Sequence, residues 1–284
     1  MTIRRAALAL LAALTVLAPV GCGGSSPESA TLAVGSRPDG ESVLLANLYA
    51  AALRFYGTPA EAKTADDPLA ELDAGRFGVV PGFTGRLLHT FDPSARQTSD
   101  KQVYRAMVGA LPEGIAAGDY TTAAEDKPAL AVTEPTARAW GGRDLTDLVA
   151  RCTRVEPGAV RGAEPPATLG DCRLSPAEEF GDDTELFDAL RAGRINAAWT
   201  STADPDTPPD VVVLADGDPS LIGAENVVPL YRRHELDQQQ VLAVNEVAGV
   251  LDTAALNRMR GQVDDGADPR QVAEAWLAEN PLGR

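Results

Sequence analysis

Three short stretches of the chain close an apolar, strand-like run with hydroxyl, glycine and aromatic residues. Ser36 and Arg37 follow residues 31–34, Phe83 and Thr84 follow residues 77–81, and Trp199, Thr200 and Ser201 end and follow residues 195–199. A hydroxyl donates or accepts a hydrogen bond, a guanidinium meets a carboxylate, and an aromatic face attracts a cation. In open α/β sheets, ligands bind in the crevice at the carboxyl ends of strands, often against helix N-termini. Three such strand ends could line one crevice for a small polar molecule. Arg37 would meet a carboxylate there, and the rings a cationic or apolar end.

Catalytic chemistry is scarce by comparison. Neither His89 nor His234 has a cysteine, histidine or carboxylate at metal-ligand spacing, and both read as surface residues. No nucleophile elbow, phosphate loop or dinucleotide fingerprint occurs. Carboxylates abound, but the sequence does not pair them. The expectation is a binder and not an enzyme, with no metal and no cofactor. A net charge of −16 over 284 residues argues against nucleic acid, because no basic stripe could answer phosphate charge.

The elements that must position these residues alternate between the two periods. Residues 31–34 form a strand. Val43, Leu44, Leu48, Ala51, Ala52 and Phe55 then recur at helical spacing up to Gly57. A short helix holds Leu69 and Leu72, and a strand over 77–81 leads into the Gly-Phe-Thr-Gly turn, residues 82–85. Val103, Met107 and Leu111 mark another helix, residues 128–133 a strand, and Leu186, Phe187 and Leu190 a helix ended by Gly193. Strands at 195–199, 210–214 and 226–231 precede two C-terminal helices, the last capped by Asp268 with Pro269 at its first position. Such alternation predicts an α/β fold with mostly parallel sheets. Phe55, Phe187 and Trp276 are expected in the core.

The first residues read as export machinery. Arg4 and Arg5 precede an apolar run from Ala6 to Val20, about fifteen residues where a spanning helix needs about twenty. Cys22 after Gly21 resembles a bacterial lipobox, in which the cysteine is acylated; Pro19 stands where that motif prefers an aliphatic residue. Residues 1–22 are therefore expected to be a signal peptide, and 23–30 a flexible tether. Cys152 and Cys172 remain, and in an exported chain they are expected to form a disulfide. They flank a Pro/Gly-rich segment without helical or strand period.

The order of these motifs resembles the substrate-binding lipoproteins of compatible-solute ABC transporters, the glycine betaine, carnitine and choline group. The family's first loop, Gly-Ser-Lys-x-Phe-Thr-Glu-Gln, is similar to residues 35–42, with Arg37 for the lysine and Asp39 for the phenylalanine. Its Pro-Glu-Tyr-Thr-Gly-Thr motif is similar to residues 81–86, with Phe83 at the tyrosine. Residues 186–202 resemble its Ala-Leu-x-x-Gly stretch and Thr-Thr-Asp loop, 211–233 its Asn-Val-x-Pro strand, and 251–282 its C-terminal helices.

The resemblance covers nearly all of residues 31–282. It implies a two-lobe, type II periplasmic-binding-protein-like fold with two crossings, 31–127 plus 222–284 forming one lobe and 128–221 the other. It further implies a solute-binding component of an ABC importer, lipid-anchored on the extracytoplasmic face of the cell membrane. A small glycine betaine- or choline-like solute would sit in the interlobe cleft and pass to a permease with its ATPase. Family members hold trimethylammonium in a cage of aromatic faces; here Phe83, Trp199, Tyr120 and Tyr231 are the rings available. The alternatives are a different small polar solute, a surface lipoprotein keeping the fold as a scaffold, and an enzyme on this fold. A filled cleft would mark the scaffold. Paired carboxylates of strongly shifted pKa in a pocket would mark the enzyme.

Overall fold

A computed structural model describes residues 31–283; the leader, Cys22 and the tether lie outside the described residues. The chain begins with β1 (Leu32–Ser36), α1 (Gly40–Phe55), β2 (Ala60–Thr64), α2 (Pro68–Asp73) and β3 (Val79–Phe83). It continues through α3 (Thr84–Phe91), α4 (Asp100–Ala110) and β4 (Ile115–Ala117). Next come β5 (Pro128–Thr133), α5 (Glu134–Trp140), α6 (Leu145–Val149), a 3₁₀ turn (Cys152–Arg154) and β6 (Pro157–Val160). A small hairpin of β7 (Thr168–Leu169) and β8 (Cys172–Arg173) precedes β9 (Glu178–Phe180), α7 (Asp183–Arg191), β10 (Ala197–Ser201) and β11 (Val211–Val213). The last elements are β12 (Val227–Arg232), α8 (Gln238–Val250), α9 (Thr253–Asp264) and α10 (Pro269–Glu279).

Aspartates start most of these helices, as their cap propensity dictates. Asp39 accepts the Ser42 N–H at 2.8 Å, and Asp268 accepts that of Gln271 at 2.9 Å, with Pro269 behind it. α1 is the central helix of the first half. It is buried from Leu44 to Leu53 on every side, because α8, α9 and α10 cover the faces that the sheet leaves free.

Two five-stranded sheets result, in the orders β2-β1-β3-β12-β4 and β11-β5-β10-β6-β9. This is a mixed α/β architecture, and it corrects the expectation of mostly parallel sheets. β1 runs parallel to β2 and β3, but β12 is antiparallel to both β3 and β4. In the second sheet β10 and β9 flank β6 in parallel, while β5 is antiparallel to β10 and β11. Parallel pairs need a helical crossover in the same sheet. β12 enters its sheet from the other one, so that constraint does not bind it.

The two connections between the sheets, residues 118–127 and 214–226, run side by side. Glu125 bridges Asn226 in antiparallel fashion, and the Asn226 side-chain amide donates to the Thr121 carbonyl at 2.9 Å. Lys127 Nζ lies 3.2 Å from Asp216 Oδ2, with both side chains buried.

Other expectations need adjustment. The segment between the cysteines contains β6, an inner strand of the second sheet. A Cβ at Gly158 would come within 2.5 Å of Ile195, so this strand must carry glycine where it passes beneath neighbouring side chains. Phe55 is 53% exposed at the end of α1, whereas Phe187 and Trp276 are buried. Three helices, not two, follow β12. The predicted disulfide is present between Cys152 and Cys172.

Candidate functional site

The Gly-Phe-Thr-Gly stretch is not a loop. Gly82 and Phe83 finish β3, and Thr84 begins α3 directly. Phe83 occupies the N-cap position and has no side-chain oxygen for the helix N–H groups. The returning connection supplies one: Glu225 Oε2 accepts the Arg86 N–H at 2.9 Å. Thr84 is fully buried; its hydroxyl donates to the Ala224 carbonyl at 3.2 Å and accepts the Asn226 N–H at 3.1 Å. A Cβ at Gly85 would lie 2.7 Å from the Ala224 carbonyl oxygen, so that position requires glycine for close approach. The motif thus clasps the returning connection.

Beside it lies a charge cluster that joins four parts of the chain. Arg86 Nη1 is 3.1 Å from Glu41 Oε2 and Nη2 is 3.0 Å from Asp126 Oδ2. Arg260 Nη1, from α9, is 3.1 Å from Asp126 Oδ1 and donates to the Ala203 carbonyl at 2.8 Å. It also lies 3.2 Å from Glu41 Oε1, off the hydrogen-bond axis, which leaves that oxygen buried without a donor. Asp126 accepts from the Ser201 hydroxyl and from the Ala203 N–H as well. Asp126 therefore connects the first crossing to the end of β10.

The electrostatics follow from burial and from who faces whom. Burial, then the neighbouring Asp126, pushes Glu41 up to about 7. For Asp126 burial acts upward too, but Arg260, the Ser201 hydroxyl and Arg86 outweigh it and hold it below its ordinary value. Burial likewise raises Glu225 to about 7.

Because the folded state holds the proton on Glu225 more tightly than the unfolded chain does, its contribution to stability falls as pH rises from about 4.5 to about 7. The melting temperature is expected to be higher at pH 5 than at pH 7.5. Glu225→Gln, which keeps the acceptor for Arg86, should narrow that difference. An equal difference in variant and wild type would refute the assignment.

Two cavities flank the cluster, and Arg86 borders both. The larger, about 660 Å³, lies on the first-sheet side and takes in Ser36, Arg37 and Phe83. Ser36 is 2% exposed and its hydroxyl has no partner, while Arg37 is exposed. The Arg86 guanidinium carbon sits 4.3 Å from the centroid of the Phe83 ring. The smaller cavity, about 250 Å³, is walled by Arg86 and Asp126 together with Trp199, Thr200 and Ser201 at the end of β10. Glu164, Asp183 in the first turn of α7, and Asp204 complete its acidic side.

Three of the sequence-predicted residues therefore meet in one cavity and three in the other, while Thr84 reaches neither. Tyr120 packs on Tyr104, ring centroids 4.6 Å apart, and gives its hydroxyl to Asp100; neither it nor Tyr231 lines these two cavities. Glu41, Arg86, Asp126, Asp183 and Glu225 escaped the sequence reading. The one local signal available for any of them is that Arg86 stands where the second family motif ends in threonine.

Two mixed α/β sheets with two side-by-side connections make this a type II periplasmic-binding-protein fold. The chain belongs to the OpuAC family, described as the substrate binding domain of ABC-type glycine betaine transport system, which matches residues 30–279. It is accordingly the solute-binding component of an ABC importer, extracytoplasmic in its working place, and not an enzyme. The shifted carboxylates fit that assignment, because Arg86 and Arg260 both span Glu41, which burial raises, and Asp126, which they hold low, and so tie Glu41 to the first connection. Among the described residues no helix is long and apolar enough to cross a membrane.

Solved structures share the fold at low identity. A glycine betaine/carnitine/choline ABC transporter crystal structure superposes with a TM-score of 0.71 at 16% identity, covering 87% of this chain and 98% of that one. Apo YehZ from Escherichia coli gives 0.69 at 19% identity, covering 88% and 98%. A choline binding protein of an ABC transporter, in complex with choline, gives 0.55 at 17% identity, covering 88% and 89%. No curated protein sequence matches the chain.

Proposed function

We propose that the protein binds a small cationic or zwitterionic compatible solute where the two cavities converge on Arg86. The observation that carries this reading is an open cavity walled by Arg86 of α3 and Asp126 of the first connection on one side and by the end of β10 on the other, in a chain of a solute-binding family. The two lobes would be 31–127 with 222–284 and 128–221, hinging at the paired connections. Ser36, Arg37 and Phe83 would approach the solute from one lobe, and Trp199, Thr200 and Ser201 from the other. Thr84 then acts by holding the start of α3. The glycine betaine described for the family and the choline of the solved complex support the solute class. Residues 1–22 would direct export, with Cys22 acylated and 23–30 as tether, and the loaded protein would dock on a membrane permease served by an ATPase.

Titration with glycine betaine, choline, carnitine and their less methylated counterparts, followed by tryptophan fluorescence, tests the reading. Saturable change is expected with at least one of them. Trp199→Ala should weaken that binding roughly tenfold or more, the worth of a desolvated cation–π contact. Absence of saturation by every solute, or unchanged affinity in the variant, would reject the site.

A further inference from the structure

We propose that the solute's cationic end carries N–H groups, as a primary or secondary ammonium does, instead of being fully methylated. The inference rests on the reading of the smaller cavity as the solute site. It follows from the acceptors that cavity contains and the aromatic cage it lacks.

A trimethylammonium group cannot donate an ordinary N–H hydrogen bond, so aromatic faces must offset the loss of its water. Trp199 is the only aromatic side chain bordering the smaller cavity. In the larger cavity, Phe83 already has the Arg86 guanidinium stacked over its ring. One free ring is not a cage.

Acceptors, in contrast, are plentiful and short of donors. Among the described residues Asp183 and Asp204 have no ion-pair partner, although both border the smaller cavity. Asp204 accepts from the Thr200 hydroxyl at 2.7 Å and from the Asp206 N–H at 3.0 Å, both neutral donors. The one cation on the wall, Arg86, is committed to Glu41 and Asp126. Burial, then Asp204, Asp206 and Asp182, pushes the Asp183 carboxyl up to about 6, which reports negative charge left uncompensated at this wall. An ammonium bearing N–H groups supplies both missing quantities, a positive charge and directed donors, in charge-assisted hydrogen bonds. A fully methylated nitrogen supplies the charge alone, held away from the carboxylates by its methyl groups.

Calorimetry at pH 7.5 with two graded series tests this. One series is glycine, sarcosine, dimethylglycine and glycine betaine; the other is ethanolamine, its mono- and dimethyl derivatives, and choline. Affinity should fall along at least one series, by roughly tenfold or more between its ends, the worth of a hydrogen bond to a charged group. Asp183→Asn should flatten that series by weakening the N–H-bearing members and sparing the fully methylated one. Tightest binding by glycine betaine or choline, or a series that Asp183→Asn leaves unflattened, overturns the inference while the solute-binding site stands. No saturable binding by any member overturns the cavity reading itself, and the inference with it.

Discussion

Asp126→Ala is expected to cost about 3–5 kcal/mol of folding stability, the usual penalty for removing one partner of a buried ion cluster. Asp126 is 3% exposed and receives Arg86, Arg260, the Ser201 hydroxyl and the Ala203 N–H. Alanine would leave Glu41 to answer two guanidinium groups alone, and Glu41 is itself raised by burial. The Ser201 hydroxyl at the end of β10 would lose its acceptor, and the N–H of the fully buried Ala203 would lose one that water does not replace. For a chain of this size that loss corresponds to a fall in melting temperature of about 2–4 °C per kcal/mol. Asp126→Asn keeps an acceptor oxygen of the same shape and should lose less. The ordering Ala worse than Asn worse than wild type, read by urea unfolding, is the signature of a charge cluster. A loss below about 0.5 kcal/mol in Asp126→Ala, the size of an ordinary surface substitution, would show that the cluster is ornamental.

The same cluster shows where sequence legibility ends. Local patterns carried the elements: the leucines and alanines of α1 repeat at helical spacing, Asp268 and Pro269 announce α10, and glycines close α1 and α7. Each of those signals acts within a few residues, so a linear reading finds it. Ser36, Arg37, Phe83, Trp199, Thr200 and Ser201 could likewise be marked, since each lies at or just after the carboxyl end of a strand. Glu41, Arg86, Asp126 and Arg260 are drawn from separate parts of the chain, and nothing local tells one carboxylate from the other acidic residues around it. Phe83 is instructive in both directions. Its type suggests a ligand face, but its place at the head of α3 leaves a helix without its own cap, and Glu225 fills that role from across the fold. β6 was hidden for a different reason. Pro157 and Gly158 look like loop residues until Ile195, Phe180 and Leu186 are seen crowding the space where a side chain would go.

Replacing both Cys152 and Cys172 by serine is expected to destabilise the protein by about 2–5 kcal/mol, and reduction of the wild type by a similar amount. The bond closes a loop with a sequence separation of 20 residues, for which the chain-entropy model gives about 3 kcal/mol. The loop is not a passive strap, because β6 within it pairs with β10 on one side and β9 on the other. Cys172 is buried with Leu169 and Leu174 in the apolar cluster that also holds Trp199. Loosening the loop therefore relaxes the sheet whose β10 ends at the smaller cavity, and solute affinity should fall along with stability. Urea unfolding with and without reductant separates the cause from side effects of the serines. Reductant should shift the wild-type midpoint toward that of the double variant and leave the variant unmoved. A double variant as stable as the oxidised wild type would mean that the sheet, and not the disulfide, holds the ends of this loop.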